Sequence, residues 1–228
     1  NARTLTSASG TITTVPSPDL KPEHSLTYEA GVRYKARGFR LNTTVYQSNY
    51  TDLIQLAVID ATTRQRRNVA KAEITGVEVD GEWRFAKPWL LKMMATATRG
   101  TNKSSGTPLD SIQPLAGRLA LAYGVEDAPW SVEGVLRGAA ARTRVDTSSE
   151  RPRPGYGTMD FYLKVDLGKV TRQSALKNWR AVAGVQNAFD KEIVNSVASE
   201  DLRYAQGFIG NPLLEPGRAF MVKLVQDY

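Results

Sequence analysis

The chain has 228 residues, 41% of them apolar, and 30 Lys and Arg against 23 Asp and Glu give it a formal net charge of +7. It has no cysteine and a single histidine, His24, which excludes disulfides, thiolate metal sites, multi-histidine zinc centres and any triad built on another histidine. No run approaches the ~18 consecutive apolar residues of a membrane helix, but a spanning strand needs only about ten with alternate positions apolar.

The mean hydropathy of -0.35 therefore leaves a membrane barrel open. The excess positive charge implies an anionic neighbour: lipid phosphates, an acidic ligand or nucleic acid. The sequence starts at Asn1 with neither an initiator methionine nor a signal peptide, so a processed or partial chain is expected.

Taken in order, the chain reads as nine strands, over 25–35, 39–59, 67–86, 89–101, 113–126, 130–145, 155–168, 179–192 and 216–228. Period two dominates them. Between Glu73 and Phe85, one face carries Val77, Val79, Gly81, Trp83 and Phe85, and the other carries Glu78, Asp80, Glu82 and Arg84. Four ionisable groups in a row fit neither a helix stripe nor a protein core. The stretch Met159–Leu167 repeats the design, with Lys164 and two aspartates opposite large apolar residues. Alternation alone also fits a soluble sandwich.

The breaks narrow the choice. Ala36–Gly38, Ala86–Pro88, Asp127–Pro129 and Lys169–Asn178 follow the odd strands, and three of these connections are tight. Longer connections, 60–66, 102–112, 146–154 and 193–215, follow the even strands. Short turns at one end and long loops at the other are the pattern of transmembrane barrels. Trp83, Trp89, Trp130 and Trp179 fall beside the short turns, where an aromatic girdle sits. If the short turns are periplasmic, the ninth strand ends there, with Tyr228 in the outward register of Phe220, Val222 and Leu224. Nine strands cannot form a single-chain bacterial barrel of even strand number, so upstream strands are expected.

Ser17-Pro18-Asp19-Leu20-Lys21-Pro22-Glu23 is followed by Tyr28-Glu29-Ala30-Gly31-Val32, Tyr50-Thr51-Asp52-Leu53-Ile54, the strand from Ala72 to Glu78, Asn187-Ala188-Phe189-Asp190-Lys191 and Pro216-Gly217-Arg218. In this order the segments resemble the motifs of the TonB-dependent receptor family, with Ser17 in place of the Asn of its NPDLKPE motif. The resemblance implies an all-β, transmembrane antiparallel barrel of about 22 strands closed by an amino-terminal plug. Residues 1–228 would supply its last nine strands, with the plug and earlier strands absent. It further implies a bacterial outer-membrane location and active import of a scarce nutrient, a ferric siderophore or haem, powered through the TonB complex. The alternatives are a passive porin and, less favoured, a barrel enzyme.

Candidate ligand residues are few. Arg64, Arg66 and Arg67 cluster at an external loop, where residues 60–71 carry +3, the four basic residues with Lys71 outweighing Asp60. Arginine forks suit the carboxylates or catecholates of an anionic iron chelate, or the phosphates of lipopolysaccharide and other outer-membrane lipid, although a solvated loop would look the same. Tyr204 and Phe208 could stack on a ligand ring from loop 193–215, or pin that loop over its neighbours. His24 reads as a surface histidine before a strand. Glu78, Asp80 and Glu82 point one way but about 6.5–7 Å apart, which suits a wetted wall or plug contact better than a general acid pair. No catalytic residue, metal site, cofactor or nucleic-acid surface is assigned, because no acid, base and nucleophile converge and the basic residues lack interleaved aromatics.

Overall fold

A computed structural model of the chain describes residues 3–7, 10–60, 62–109, 112–124, 128–147, 151–194 and 214–226. Eleven strands form one sheet among them. They are β1 (Arg3–Ser7), β2 (Gly10–Val15), β3 (His24–Ala36), β4 (Phe39–Val58), β5 (Thr63–Ala86), β6 (Trp89–Asn102), β7 (Ala116–Tyr123), β8 (Trp130–Ala139), β9 (Tyr156–Asp166), β10 (Trp179–Gln186) and β11 (Ala219–Gln226). From β3 to β11 each strand pairs antiparallel with its successor, and these nine are the nine expected. Their ends differ. The segment expected over 130–145 leaves the sheet at Ala139, and the one over 113–126 shortens to β7.

Two strands are additional. The segment before Pro16 folds as the β1–β2 hairpin, and β2 joins β5 in parallel over Thr13–Val15 and Thr63–Gln65. The connection expected over Lys169–Asn178 holds a helix, α1 (Leu167–Thr171), which starts within the expected strand 155–168, and a 3-10 turn (Ser174–Leu176). The Asp166 carboxylate caps α1 by accepting from the Lys169 backbone N–H at 3.0 Å.

The register sorts the side chains into two faces. One row crosses eight strands as Phe39, Trp83, Leu91, Leu121, Gly134, Phe161, Val185 and Phe220. The next row on the opposite face runs Arg40, Glu82, Lys92, Ala120, Val135 and Asp160. A soluble sandwich would bury the first row. Here Val32 is 71% exposed, Phe220 79% and Val222 81%, whereas the buried apolar residues are mainly small and lie on the charged face, such as Ala72, Ala120 and Ala139. So much contiguous exposed apolar surface is tolerated where lipid covers it.

Both limits of the apolar belt are visible. At the short-turn end the rings of Trp83 and Phe85 lie 5.2 Å apart, those of Phe85 and Trp89 6.2 Å, Trp89 and Tyr123 4.8 Å, and Tyr123 and Trp130 5.9 Å. Three of the four tryptophans expected in a girdle, Trp83, Trp89 and Trp130, lie in this run. At the other end the outward register turns polar at Gln47, Thr75 and Arg99, one row across β4, β5 and β6. Trp83 and Thr75 are eight residues apart on β5, about 26 Å of strand, or about 20 Å of height at the usual strand tilt of about 40°, close to the apolar band of an outer-membrane barrel. The short turns are tight for a backbone reason. Gly38 has φ 72°, its carbonyl accepts from Arg84 N–H at 2.6 Å, and a Cβ there would meet the Arg84 carbonyl oxygen at 2.7 Å.

The two faces predict a labelling pattern. With no native cysteine, Val79→Cys and Leu163→Cys are expected to resist a charged thiol reagent in membranes, and Asp80→Cys and Lys164→Cys to react unless another segment covers them. Equal, fast modification at all four positions would mean that the apolar face does not meet lipid.

Candidate functional site at the external mouth

β4 and β5 extend past β6, which begins pairing with β5 only at Ala72. On this overhang the pairing shifts register between Tyr50 and Ile54, and Asp52 takes φ 57°. The stretch from Ser17 to Glu23 is strapped across it. Asn68 on β5 accepts from Lys21 N–H at 2.8 Å and donates through Nδ2 to the Lys21 carbonyl at 2.9 Å and the Asp52 carbonyl at 2.6 Å. Glu23 Oε2 accepts from Ile54 N–H at 3.1 Å, and Gln65 Nε2 donates to the Pro16 carbonyl at 2.8 Å. The SPDLKPE stretch is thus a strut, and Asn68 its clamp. No pattern in the sequence singles out Asn68, because its partner lies 47 residues away. Strut and strand enclose a polar cavity of about 490 Å³ lined by residues 17–21, Asp52 and residues 65–68.

The three arginines separate. Arg64 is 1% exposed, lies between Val58 of β4 and Thr14 of β2, and donates through Nη1 to the Asp60 and Thr63 carbonyls. It builds the mouth without facing its solvent. Arg66 and Arg67 are exposed, line the cavity with Lys21, and Arg67 Nε donates to Gln65 Oε1 at 2.8 Å. The adjoining turn is closed by Asp60, whose Oδ1 accepts from Thr62 N–H at 2.8 Å and Thr63 N–H at 2.9 Å. These bonds hold its carboxyl below the usual carboxylate range. Tyr204, Phe208 and Tyr228 lie outside the described residues. His24 is exposed at the start of β3, paired with Thr51.

Below the mouth, the charged face is a wall of ion pairs and hydrogen bonds, most of them between strands. Arg40 and Arg84 stand 3.8 and 3.9 Å from Glu82, and Arg33 donates to Asn42, which donates to Asp80 at 2.9 Å. Glu133 lies between Arg118 at 3.2 Å and Lys164 at 3.6 Å. Carboxylates so occupied suit a wetted wall better than an acid–base pair. Behind it, Asp160 is 5% exposed, accepts from Asn187 N–H at 2.7 Å and lies 3.4 Å from Arg137. The Asn187 amide clasps Lys191 at its N–H and carbonyl, and Asp190 accepts from Arg218 N–H at 2.8 Å. The NAFDK and PGR segments are therefore one clasp joining β9, β10 and β11.

Comparison with known proteins bears on what this wall belongs to. The family model described as TonB dependent receptor-like, beta-barrel matches residues 1–188. The chain is 28% identical over 187 residues to the hemin receptor of Yersinia pestis, covering 78% of this chain and 26% of that protein. It is 24% identical over 196 residues to heme/hemopexin utilization protein C of Haemophilus influenzae (strain 86-028NP), covering 78% and 27%. It thus spans about a quarter of the length of the curated relatives it matches. The copper transporter OprC superposes with a TM-score of 0.76 at 23% identity, over 91% of this chain and 31% of that one. A variant of the ferric enterobactin receptor PfeA of Pseudomonas aeruginosa superposes with a TM-score of 0.69 at 21% identity, over 94% and 32%. The outward apolar belt, the aromatic girdle, the charged inner wall and the matched family model agree, and the chain belongs to the TonB-dependent receptor β-barrel family.

Proposed function

We propose that the chain forms part of the wall and external mouth of an outer-membrane receptor that imports a ferric siderophore or haem with energy delivered by TonB. The observation that carries this reading is the family match on a sheet whose outer face is apolar and whose inner face is charged. Relatives named as hemin receptors favour haem, and structural neighbours named as siderophore receptors favour a ferric chelate. Haem carries two propionates, and ferric chelates of the catecholate or carboxylate type are anionic. Arg66, Arg67 and Lys21 around the polar cavity offer them forked and point-charge partners. A passive porin would share the wall but not depend on TonB.

In cells that rely on this receptor for iron, uptake of haemin or of a ferric siderophore is expected to stop when TonB is removed. Replacing Arg66 and Arg67 together with Gln is expected to weaken cargo binding by about tenfold and flatten its salt dependence, with barrel assembly intact. Uptake that persists without TonB would reject the transport reading. Unchanged affinity at low and physiological salt would remove the two arginines from the mouth while leaving that reading in place.

A further inference from the structure

The outer face carries a groove that the transport reading leaves unused. One outward row consists of Val79, Ala95, Gly117, Gly138 and Gly157 across β5 to β9. With three adjacent strands lacking side chains there, the backbone is bare, and Met93, Leu119 and Leu136 rise beside it around a cavity of about 580 Å³. The row lies toward the external ends of β7 and β8 and the start of β9, in the half of the belt nearest the outer leaflet. The wall could not be smoothed with alanine throughout, since a Cβ at Gly138 would meet the Tyr156 carbonyl oxygen at 2.6 Å. At Gly157 a Cβ would meet nothing within 4 Å.

Above the groove stands a charge. Arg99 occupies the outward register of β6 four residues beyond Ala95, about 13 Å along the strand, where the belt turns polar. It is exposed and has no hydrogen bond or ion pair among the described residues. Arg144 is fixed next to it by donating to the Gly100 carbonyl and to Thr101 Oγ1. Burial, and then the neighbouring charge of Arg99, hold the Arg144 guanidinium below its usual range. Lys103 is already matched by Glu73 at 2.8 Å. An arginine at the lipid boundary, crowded by a second one, complements an anion held at that level.

We propose that the groove and Arg99 together hold one phosphorylated glycolipid of the outer leaflet, an acyl chain on the glycine floor and a phosphate against Arg99. Counting about 13 Å along the strand and about 4.8 Å for each strand crossed, the glycines lie roughly 14 Å (Gly117) to 20 Å (Gly157) from Arg99, which one extended acyl chain and its headgroup span, so a single molecule reaches both features. This site rests on the membrane placement of the proposed receptor, and it differs from the cargo mouth at Arg66 and Arg67, which lies on the β4–β5 overhang.

The test uses the whole receptor, purified in detergent and titrated with diphosphorylated lipid A in mixed micelles, with bound lipid counted by native mass spectrometry. Binding of one lipid A is expected, weakened about tenfold by Arg99→Gln and by Gly157→Leu, which fills the groove from an open position. Millimolar inorganic phosphate is expected not to displace it, since phosphate lacks the acyl chain. Wild-type binding in both variants would overturn the site. So would displacement by inorganic phosphate together with normal binding by Gly157→Leu, which would leave only an anion contact. Should Gly157→Leu fail to assemble, Arg99→Gln, an exposed replacement, decides alone. Cysteine labelling of the outer face reports membrane placement separately, so lost lipid A binding with normal labelling rejects this site and not the barrel.

Discussion

Asp160→Ala is expected to lower the stability of the assembled barrel by about 3 kcal/mol, read as an earlier urea midpoint in refolding from detergent or lipid. The cost follows from what the carboxylate holds. It is 5% exposed, takes the Asn187 N–H at 2.7 Å and stands 3.4 Å from the Arg137 guanidinium. Alanine leaves a buried N–H without its acceptor and Arg137 with only Glu215, at 3.5 Å. The damage spreads because Asn187 starts the clasp that also fixes Asp190 and Arg218, so the β10–β11 end loosens with it. Asp160→Asn keeps an acceptor and should fall between. Glu82→Gln, on a pair that is about one-third exposed or more on each side, should stay within about 0.5 kcal/mol. Equal midpoints for Asp160→Ala and Glu82→Gln would mean that the clasp does not bear on assembly.

How much of this was legible in the sequence follows from the range of the forces involved. The strands and their facing were readable because hydrocarbon outside and water inside impose a sharp contrast at every second residue. Val79 beside Asp80 puts the two on opposite faces, and the short-turn pattern with the ordered motifs says which face meets lipid. The girdle was readable because tryptophans recur beside short turns. The β1–β2 hairpin was not, since Leu5 and Ile12 stand between threonines there with no row of charges opposite, and only pairing with Thr63–Gln65 of β5 gives it a place. The burial of Arg64 was equally hidden. Three nearby arginines look alike until strand pairing on both sides closes over one of them. The family motifs were recognisable as strings, but their physical work appears only in three dimensions, as a strut clamped by Asn68 and a clasp built on Asp160. The glycine floor is not visible in the sequence, because Gly117, Gly138 and Gly157 are far apart along the chain and adjacent only through register.

Residues 1–228 expressed alone are expected not to form a heat-modifiable barrel, whereas the same residues joined to strands that pair with their open edges are expected to. The reason is in the pairing. Among the described residues β3 pairs only with β4, and β11 only with β10, so both ends of the nine-strand run are open. About half of the 13 residues of β3 turn their N–H and C=O away from β4. In hydrocarbon each such group without a partner costs several kcal/mol, more in sum than a domain's whole stability. Curling the sheet on itself gives no escape. It would press Arg40, Glu82, Glu133 and Lys164 out of water, and burying charges that are now partly exposed is costlier than leaving an edge wet. The isolated sheet should therefore aggregate or remain unfolded in detergent. A monomer of these residues that resists SDS without heating, shifts on boiling and shows β-rich circular dichroism would mean that the edges close on each other, and the partial-wall assignment would fall.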